Sequence, residues 1–536
     1  MAATTRFWAW LHSGALPGVL GNPLPRRGDN VVNLAQGAVR GFNDDSGNAV
    51  FLGIPFADTT GGKNRWRAPQ PVPHAKKGTI FNATAYGATC PQAITGTTYS
   101  QQGEDCLNLN IWVPSSNSVK PRKPTTEAPG ACNESRGASG LPVFVWMYGG
   151  AMETTLLARG VIFVSFNTRE SIFAYPNSAE LRGSKESQNF GILDVNKALQ
   201  WVRDNIAAFG GNPDHIVFGG HSSGSVQVDH YLWNHPNTWL VGAVELAANA
   251  KSGPAVAPVN EALNVVAAEV GCPTGKGQLD CLRKVDAYAF QTEKFNATYN
   301  TWFTPAVDEI TRFQNYESRF AQGKYASHVP LLTGNSNYEG ALFGLVYGNE
   351  NTNFSRWIKT FDADVAEIPK NLLLGAYNPS DYDSVSAMSG AQYGDARFFC
   401  PVDYLVDLRS TKQDTWTYRF FADYSQGLPV AAPTHGAEIA YFFGGNEVFD
   451  GQEVTTAQQA LADFQNDWFV SWIKNPSAGP GWAKATPKKG TIAKLGVSGN
   501  ELAIGLASAS EYNGRCQSVY NPYLPKYPVI QSVNAA

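Results

Sequence analysis

The hydrophobic pattern of the chain predicts buried strands that alternate with helices. Short apolar runs rich in β-branched and aromatic residues occupy residues 144–147, 161–166 and 216–218, and a helical pattern of apolar positions covers 194–206. Because the short runs are continuously apolar, the strands should be covered on both faces, as in a mostly parallel sheet flanked by helices. The predicted fold class is therefore α/β, with the functional site at the carboxyl ends of the strands.

The rest of the pattern favours one large domain with excursions. Helical patterns at 253–320 and 353–393 predict segments that lie over the cleft, and a stretch rich in Pro, Ser, Lys and Thr at 114–140 predicts an exposed insert. No internal repeat or clean boundary divides the 536 residues, which are enough to bury a large core. We therefore expect a single domain over residues 31–536.

The most specific chemical signal is a serine that follows the third apolar run. Residues 218–224 are Phe-Gly-Gly-His-Ser-Ser-Gly, so Ser222 stands in a Gly-x-Ser-x-Gly frame between a strand and a helical stretch. In that setting, a turn too tight for side chains at Gly220 and Gly224 lifts the serine hydroxyl above the sheet edge. The frame alone is common by chance, so its weight depends on partner residues elsewhere in the chain.

Two such partners follow Ser222 in the order carboxylate, then histidine. Glu339 lies in a polar turn at the end of a predicted strand within 329–340, and His435 follows a predicted strand at 415–421 and a Gly/Pro-rich loop. A serine hydroxyl is a poor nucleophile until a histidine takes its proton, and a carboxylate fixes the tautomer of that histidine. The order predicts a triad of nucleophile, orienting carboxylate and general base.

A strand end rich in glycine offers donors for a developing negative charge. The first apolar run ends in Tyr148-Gly149-Gly150-Ala151, where small residues let backbone N–H groups approach an oxyanion closely. The N–H of Ser223 would be a third donor. An ordinary glycine turn is the alternative for this segment taken alone, and the serine frame downstream favours the oxyanion hole.

Six further sequence blocks are spread along the chain. In order, they are 51–57 (FLGIPFA), 104–110 (EDCLNLN), 189–194 (NFGILD), 198–202 (ALQWV), 205–206 (NI) and 209–213 (FGGNP). From about Val31 onward, the chain thereby resembles the type-B carboxylesterases, a family that includes cholinesterases and many fungal esterases and lipases. The resemblance implies an α/β-hydrolase fold and hydrolysis of carboxylic esters through an acyl-serine intermediate. It places the triad on Ser222, Glu339 and His435, and the oxyanion hole on Gly150, Ala151 and Ser223.

Three functions are compatible with these features. The leading interpretation is a secreted serine carboxylesterase that acts on small to medium uncharged esters. A lipase that acts on longer acyl chains is the second. The third is a non-catalytic, cholinesterase-like recognition protein, although such proteins typically lack the nucleophile or the base and this chain keeps both.

Two departures from the family bear on the substrate. The family usually has a glutamate directly before the nucleophile, whereas this chain has His221, so one source of preference for cationic substrates is absent. The loop 91–105 has Tyr99 as its only aromatic residue, where cholinesterases place a tryptophan that faces the quaternary ammonium. The same loop is shorter than the lid of related fungal lipases, which favours soluble esters over lipid droplets.

A third departure lies beside the predicted oxyanion hole. Only residues 152–160 separate its strand from the next one, where the family has a longer glycine-rich loop, and Thr168 stands where the family normally has tyrosine. A natural short loop, a deletion that disables the oxyanion hole and an error in the coding-sequence model are the alternatives that the sequence leaves open. Misplaced donors would be costly for catalysis.

Cysteine usage favours an oxidising compartment. Six of the seven cysteines occupy positions where the cholinesterase-like pattern has disulfides, which pair Cys90 with Cys106, Cys272 with Cys281, and Cys400 with Cys516. Cys132 is left over in the predicted insert, where we expect a free surface thiol without a role.

Other signals also favour secretion. Residues 1–21 predict a weak signal peptide, in which a polar stretch interrupts the apolar region. Four Asn-x-Ser/Thr sequons are candidates for glycosylation: Asn82, Asn133, Asn296 and Asn353. Together with the cysteines, they predict an extracellular glycoprotein.

Charge and composition argue against other classes. The formal net charge of −4 gives no reason to expect nucleic acid or an anionic membrane as a partner, and no apolar run approaches the roughly 18 residues that a membrane span needs. Metal-binding spacings are absent from the sequence, and the implied reaction needs no cofactor. We expect a small-molecule ester as partner, leave the oligomeric state open, and expect His230 and His235 to be ordinary histidines on a helix surface.

Overall fold

The structure is a computed structural model, and it describes residues 27–76, 78–92, 101–115, 140–147, 159–181, 186–248, 261–291, 303–348, 353–360, 368–422, 433–443, 454–487 and 490–524. In these residues, thirteen strands form one sheet with the order β1-β2-β3-β5-β7-β6-β8-β9-β10-β11-β12-β13, and β4 pairs with β2. The strands are β1 Arg27–Leu34, β2 Gly37–Asn43, β3 Ala49–Pro55, β4 Ile80–Asn82, β5 Asn108–Val113, β6 Leu141–Met147, β7 Ile162–Phe166, β8 Gly211–His221, β9 Gly242–Leu246, β10 Leu331–Ser336, β11 Thr415–Phe420, β12 Thr491–Leu495 and β13 Gly505–Ser508.

The centre of the sheet is parallel and its edges are antiparallel. Strands β7, β6, β8, β9, β10, β11 and β12 run parallel to one another. The outer pairs β1–β2, β2–β3, β3–β5, β5–β7 and β12–β13 are antiparallel, and the short β4 pairs with β2 in parallel. In the central register, Val145 of β6 lies between Val164 of β7 and Phe218 of β8. The carboxyl ends of the parallel strands therefore meet at one edge of the sheet, which is where ligands bind in open α/β sheets.

Helices cover both faces of the sheet. They are α1 Ser171–Ala174, α2 Phe190–Asn205, α3 Ser223–Asn234, α4 Glu261–Glu269, α5 Gln278–Leu282, α6 Tyr316–Ala321, α7 Ala341–Gly348, α8 Phe354–Thr360, α9 Lys370–Gly375, α10 Val385–Gly394, α11 Cys400–Arg409, α12 Ala437–Phe443, α13 Thr456–Lys474 and α14 Ala509–Tyr512. Short 3₁₀ turns occupy Gly62–Asn64, Ile206–Phe209, Ala287–Phe290, Pro379–Asp381 and Pro476–Ala478, and π-helical turns occupy Asp395–Phe399 and Cys516–Tyr520.

Alternation along β6 shows why this run is apolar throughout. Val143 and Val145 face the core that α2 and α3 cover, whereas Phe144 and Trp146 face the core that α12 and α13 cover. All four side chains are buried, because the strand lies in the middle of the sheet with helices on both faces. This arrangement confirms the predicted α/β class.

The predicted elements differ from the observed ones mainly in length. The strand predicted at 216–218 is the end of the longer β8, and the helix predicted from residue 194 begins at Phe190. The stretches 253–320 and 353–393 contain helices in their described parts, as predicted. The predicted insert at 114–140 lies almost wholly outside the described residues, as does the predicted signal peptide.

Disulfides join Cys90 to Cys106, Cys272 to Cys281, and Cys400 to Cys516. These pairs are the ones that the resemblance implies. Cys132 lies outside the described residues. Among the helices described, none is long and apolar enough to cross a membrane.

A buried ion pair fixes helix α2 to the end of β7. Asp194 of α2 accepts hydrogen bonds from the backbone N–H, the Nε–H and an Nη–H of Arg169, at 3.0, 2.8 and 2.6 Å. The side chain of Asp194 is wholly buried and that of Arg169 is 2% exposed. Neither charge has access to water, so each depends on the other for its solvation.

We expect Asp194→Ala to lower the free energy of unfolding by about 3–5 kcal/mol, because it leaves the Arg169 guanidinium buried without its counter-charge. Urea unfolding of the variant measures the loss. The matched control is the double variant Arg169→Met/Asp194→Leu, which removes both charges and should recover most of the stability. A double variant as unstable as Asp194→Ala would contradict this account.

Candidate active site

The turn after β8 presents Ser222 in a strained backbone conformation. Ser222 has φ +55° and ψ −118°, outside the regions that residues with a side chain normally adopt. Its N–H donates to the carbonyl of Leu246 at the end of β9 (3.0 Å), and its own carbonyl accepts from the N–H of Val226 in α3 (3.2 Å). Strain of this kind persists only where the surroundings hold it, and it occurs preferentially at functional sites.

The two glycines of the serine frame are required by close backbone contacts. A Cβ on Gly220 would overlap the carbonyl oxygen of Gly224, and a Cβ on Gly224 would overlap the carbonyl oxygen of Met147 at the end of β6. The tight-turn argument made from the sequence therefore has a definite steric origin. The frame also packs the serine turn against the strand that leads to the predicted oxyanion segment.

Glu339 and His435, 96 residues apart in the sequence, form a buried hydrogen bond. His435 Nδ1 lies 2.6 Å from Glu339 Oε2, and both side chains are wholly buried. Because a carboxylate only accepts, Nδ1 carries the proton, and in the neutral ring Nε2 then carries the lone pair. Nε2 is buried and has no hydrogen-bond partner among the described residues.

Backbone contacts hold the two loops that carry this pair. The N–H of Ser336 donates to Glu339 Oε1 at 2.7 Å, so both oxygens of the carboxylate are bonded. Tyr338 pairs with Thr434 in a short parallel bridge, and the N–H of Tyr338 donates to the carbonyl of Pro433 at 3.0 Å. The residues directly before Glu339 and His435 are thus joined to each other.

Three rings surround the imidazole of His435. The ring centroids of His221, Phe398 and Phe343 lie 4.8, 5.0 and 5.6 Å from that of His435. His221 directly precedes Ser222, so this contact brings the serine turn next to the histidine. Burial and the neighbouring charge of His435 hold the pKa of His221 well below its usual value, so His221 is neutral.

A second buried carboxylate, Glu438, lies close to Glu339. It accepts hydrogen bonds from the hydroxyl of Ser336 (2.6 Å), the N–H of Ala247 (3.0 Å) and the hydroxyl of Tyr418 (3.4 Å). Burial, and then the charge of Glu339, raise the pKa of Glu438 to about 7. The sequence analysis missed this residue, because no local pattern marks a glutamate three residues after His435 as a buried neighbour of Glu339.

Of the three predicted oxyanion donors, Ser223 is the one that lies within the described residues. Gly150 and Ala151 lie outside the described residues, as do Tyr99 and most of the short loop 152–160. Ser223 is the first residue of α3, where a backbone N–H has no partner within the helix and points along the positive end of the helix dipole. This geometry suits a donor to an anion beside Ser222.

One expectation about the neighbouring helix was wrong. His230 is 2% exposed rather than on the helix surface. Burial, and then the charge of Arg312, lower the pKa of His230 to about 3. His235 is partly exposed at the end of the same helix.

The strained serine turn at the carboxyl end of a parallel sheet, beside a buried carboxylate–histidine pair, is typical of the α/β-hydrolases. The sequence profile described as "Carboxylesterase family" matches residues 28–513, and the chain belongs to that family. Membership of this family, the fold and the esterase relatives named below together show that the chain is a carboxylic ester hydrolase. None of them supports the alternative of a non-catalytic recognition protein.

Individual relatives agree with this assignment. The chain is 28% identical over 491 residues to "Lipase 2" of Diutina rugosa, covering 78% of this chain and 84% of the relative. It is 28% identical over 487 residues to "Para-nitrobenzyl esterase" of Bacillus subtilis (strain 168), covering 83% and 90%. A solved structure titled "PNB esterase" superposes with a TM-score of 0.69 at 23% identity, covering 91% of this chain and 99% of the other, which shows a shared fold.

We expect Gly224→Ala to lower ester hydrolysis by about 100-fold or more, because a Cβ there must push the serine turn away from Met147. Initial rates on a p-nitrophenyl ester measure the loss. Gly275→Ala is the matched control, since that glycine has open space around its Cβ position. Equal rates for the two variants would show that the tight turn does not position the nucleophile.

Glu438 should make the folded state less stable as pH rises. Its pKa is raised from 4.5 to about 7 in the folded chain, so its contribution is complete below about pH 4.5 and is lost as pH rises through about 7. Glutamine cannot ionise, so in Glu438→Gln the free energy of unfolding should fall by roughly 1–3 kcal/mol less than in the wild type between pH 5 and 8. Urea unfolding at each pH measures the slope, and parallel profiles for the two proteins would contradict the assignment.

Proposed function

We propose that the chain hydrolyses small to medium uncharged carboxylic esters through an acyl-serine intermediate, with Ser222 as nucleophile, His435 as general base and Glu339 as the orienting carboxylate. The observation that carries this proposal is the buried 2.6 Å bond between His435 Nδ1 and Glu339, which leaves Nε2 unpartnered beside the strained Ser222 turn. It supplies a base with a fixed tautomer next to a half-buried nucleophile.

The proposed reaction has two halves. Ser222 Oγ attacks the ester carbonyl while His435 Nε2 takes the hydroxyl proton, and Glu339 stabilises the imidazolium that forms. The tetrahedral intermediate collapses when His435 returns the proton to the departing alcohol oxygen, which leaves an acyl-serine. Water then attacks the acyl carbon while His435 Nε2 takes a proton from it. The bond between the acyl carbon and Ser222 Oγ breaks, His435 returns the proton to Ser222 Oγ, and the carboxylic acid leaves.

The developing oxyanion needs donors that are fixed before the reaction. We assign this role to the N–H groups of Gly150, Ala151 and Ser223. The support for Ser223 is its place at the first turn of α3, where its N–H has no intrahelical partner. The support for Gly150 and Ala151 is the sequence pattern. The close approach of Gly224 to Met147, three residues before Gly150, adds to it.

The surroundings of the base support the proposed substrate class. Phe343 and Phe398 present apolar rings to His435, and Phe343 stacks in turn on Tyr393 at 4.6 Å. His221 is neutral, so it adds no fixed negative charge that would attract a cationic substrate. An aromatic wall without such a charge favours uncharged esters with an apolar group.

A lipase that acts on longer acyl chains is the second candidate. Its support is the similarity to the relative named "Lipase 2". The two candidates share the same chemistry and differ in acyl-chain preference, so the chain length of the best substrate distinguishes them.

We also propose that the protein is secreted, with a signal peptide within residues 1–21 followed by a single domain over 31–536. The three disulfides support an oxidising compartment. Two of the four sequons, Asn82 and Asn353, lie at exposed positions, as glycan attachment requires.

Hydrolysis of p-nitrophenyl esters from acetate to palmitate tests the proposed function. We expect Ser222→Ala and His435→Ala to lower kcat by at least about 10⁴-fold without unfolding the chain. Glu339→Gln should retain a small residual rate, about 10³–10⁴-fold below the wild type, because the histidine loses control of its tautomer.

The controls for this series are thermal unfolding of each variant and the acyl-chain profile of the wild type. A best substrate with a short or medium acyl chain supports the esterase, and a best substrate near palmitate supports the lipase. Turnover that survives Ser222→Ala would refute the proposed nucleophile. A normal rate in Glu339→Gln would show that another carboxylate is the third member.

A further inference from the structure

The hydrogen bond to Glu339 does not by itself fix the orientation of His435. One bond at Nδ1 leaves the imidazole free to pivot about the N–H···O axis, and Nε2 swings through the largest arc in that motion. Nε2 has no second bond among the described residues that would stop it. An error of about 1 Å in the place of such a base can cost about 100-fold in rate.

Ring contacts supply the missing restraint. His221, Phe398 and Phe343 all contact the His435 ring, and their ring planes are inclined by 42°, 53° and 64° to it. Among these three, His221 is the closest, with a centroid distance of 4.8 Å, and its Nε2 has no hydrogen-bond partner among the described residues.

His221 also differs from the two phenylalanines in where it is attached. It is the last residue of β8 and pairs in register with Leu246 of β9, and the next residue is Ser222. Phe343 and Phe398 lie on α7 and on the π-helical turn Asp395–Phe399, elements that do not carry the serine. Of the three rings, the His221 ring is the one attached next to the nucleophile. Its contact therefore relates the orientation of the His435 ring to the position of Ser222.

We propose that His221 is a positioning residue for the general base: its ring, held on the rigid end of β8, keeps the imidazole of His435 in register with Ser222. The inference rests on the proposed roles of Ser222 and His435. It gives a use to a half-buried, titratable side chain that the mechanism itself does not employ. The low pKa of His221 is consistent with this use, since a neutral ring can stay packed against an imidazole that becomes charged during turnover.

The test compares His221→Ala with His221→Phe, using kcat and KM for one uncharged p-nitrophenyl ester. Removal of the ring should lower kcat by about 10–100-fold and leave KM within about threefold, because the ring acts on the base and not on substrate binding. The phenyl ring should restore kcat to within about fivefold of the wild type. His235→Ala is the matched control, since the His235 ring packs on Tyr231 at 4.3 Å and should leave kcat unchanged.

Two results would overturn the proposal. The first is an unchanged kcat in a folded His221→Ala variant. The second is a His221→Phe variant as slow as His221→Ala, which would mean that the imidazole nitrogens and not the ring contact matter. Thermal unfolding of both variants shows that any loss of kcat is not a loss of folded protein.

A proton NMR measurement separates this proposal from the proposed function. The Nδ1 proton of His435 in its buried bond to Glu339 should give a low-field resonance, whether or not the chain turns over any ester. We expect that resonance to broaden in His221→Ala, to stay sharp in His221→Phe and His235→Ala, and to disappear in His435→Ala. If no ester is hydrolysed but the resonance behaves in this way, His221 restrains the His435 ring as proposed, and it is the proposed function that fails. An identical resonance in wild type and His221→Ala contradicts the positioning role.

Discussion

A wholly buried carboxylate must have hydrogen-bond partners, and the way Glu339 meets that requirement organises the site. One oxygen takes the N–H of Ser336 and the other takes Nδ1–H of His435. The bond joins the loop after β10 to the loop after β11, and the bridge between Tyr338 and Thr434 reinforces the junction. The bond between Glu339 and His435 therefore holds His435 near the end of β8.

The geometry of the nucleophile has a separate origin. The strain at Ser222 is maintained by close packing of Gly220 and Gly224, and by the hydrogen bond from Ser222 N–H to Leu246. These contacts belong to the sheet and to α3, not to the loops that carry Glu339 and His435. The ring contact between His221 and His435 is where the two parts of the site meet.

The elements of the fold and the candidate triad could be predicted because their signals are local. A continuous apolar run followed by a glycine frame identifies the strand and turn at Ser222, and runs that end in polar turns identify the positions of Glu339 and His435. Each signal occupies fewer than about twenty residues, so it can be recognised without knowledge of the tertiary structure.

What could not be predicted depends on contacts between distant segments. Glu438 is an unremarkable glutamate in the sequence, and it becomes a buried neighbour of Glu339 only because α12 packs on the ends of β9 and β10. The burial of His230 is likewise marked by no local pattern, and the charge that helps to lower its pKa belongs to Arg312, 82 residues later in the chain. The ring contacts of His435 combine residues from β8, α7 and a π-helical turn, whose side chains no local pattern brings together.

Covalent trapping of the nucleophile tests the central claim most directly. A fluorophosphonate reacts with a serine only when a base has activated it and donors stabilise the adduct, so labelling followed by peptide mass spectrometry reports the assembled site. The account predicts one adduct per chain, on Ser222, which is lost in His435→Ala. No adduct on a folded chain that hydrolyses esters, or an adduct on a different serine, would contradict it.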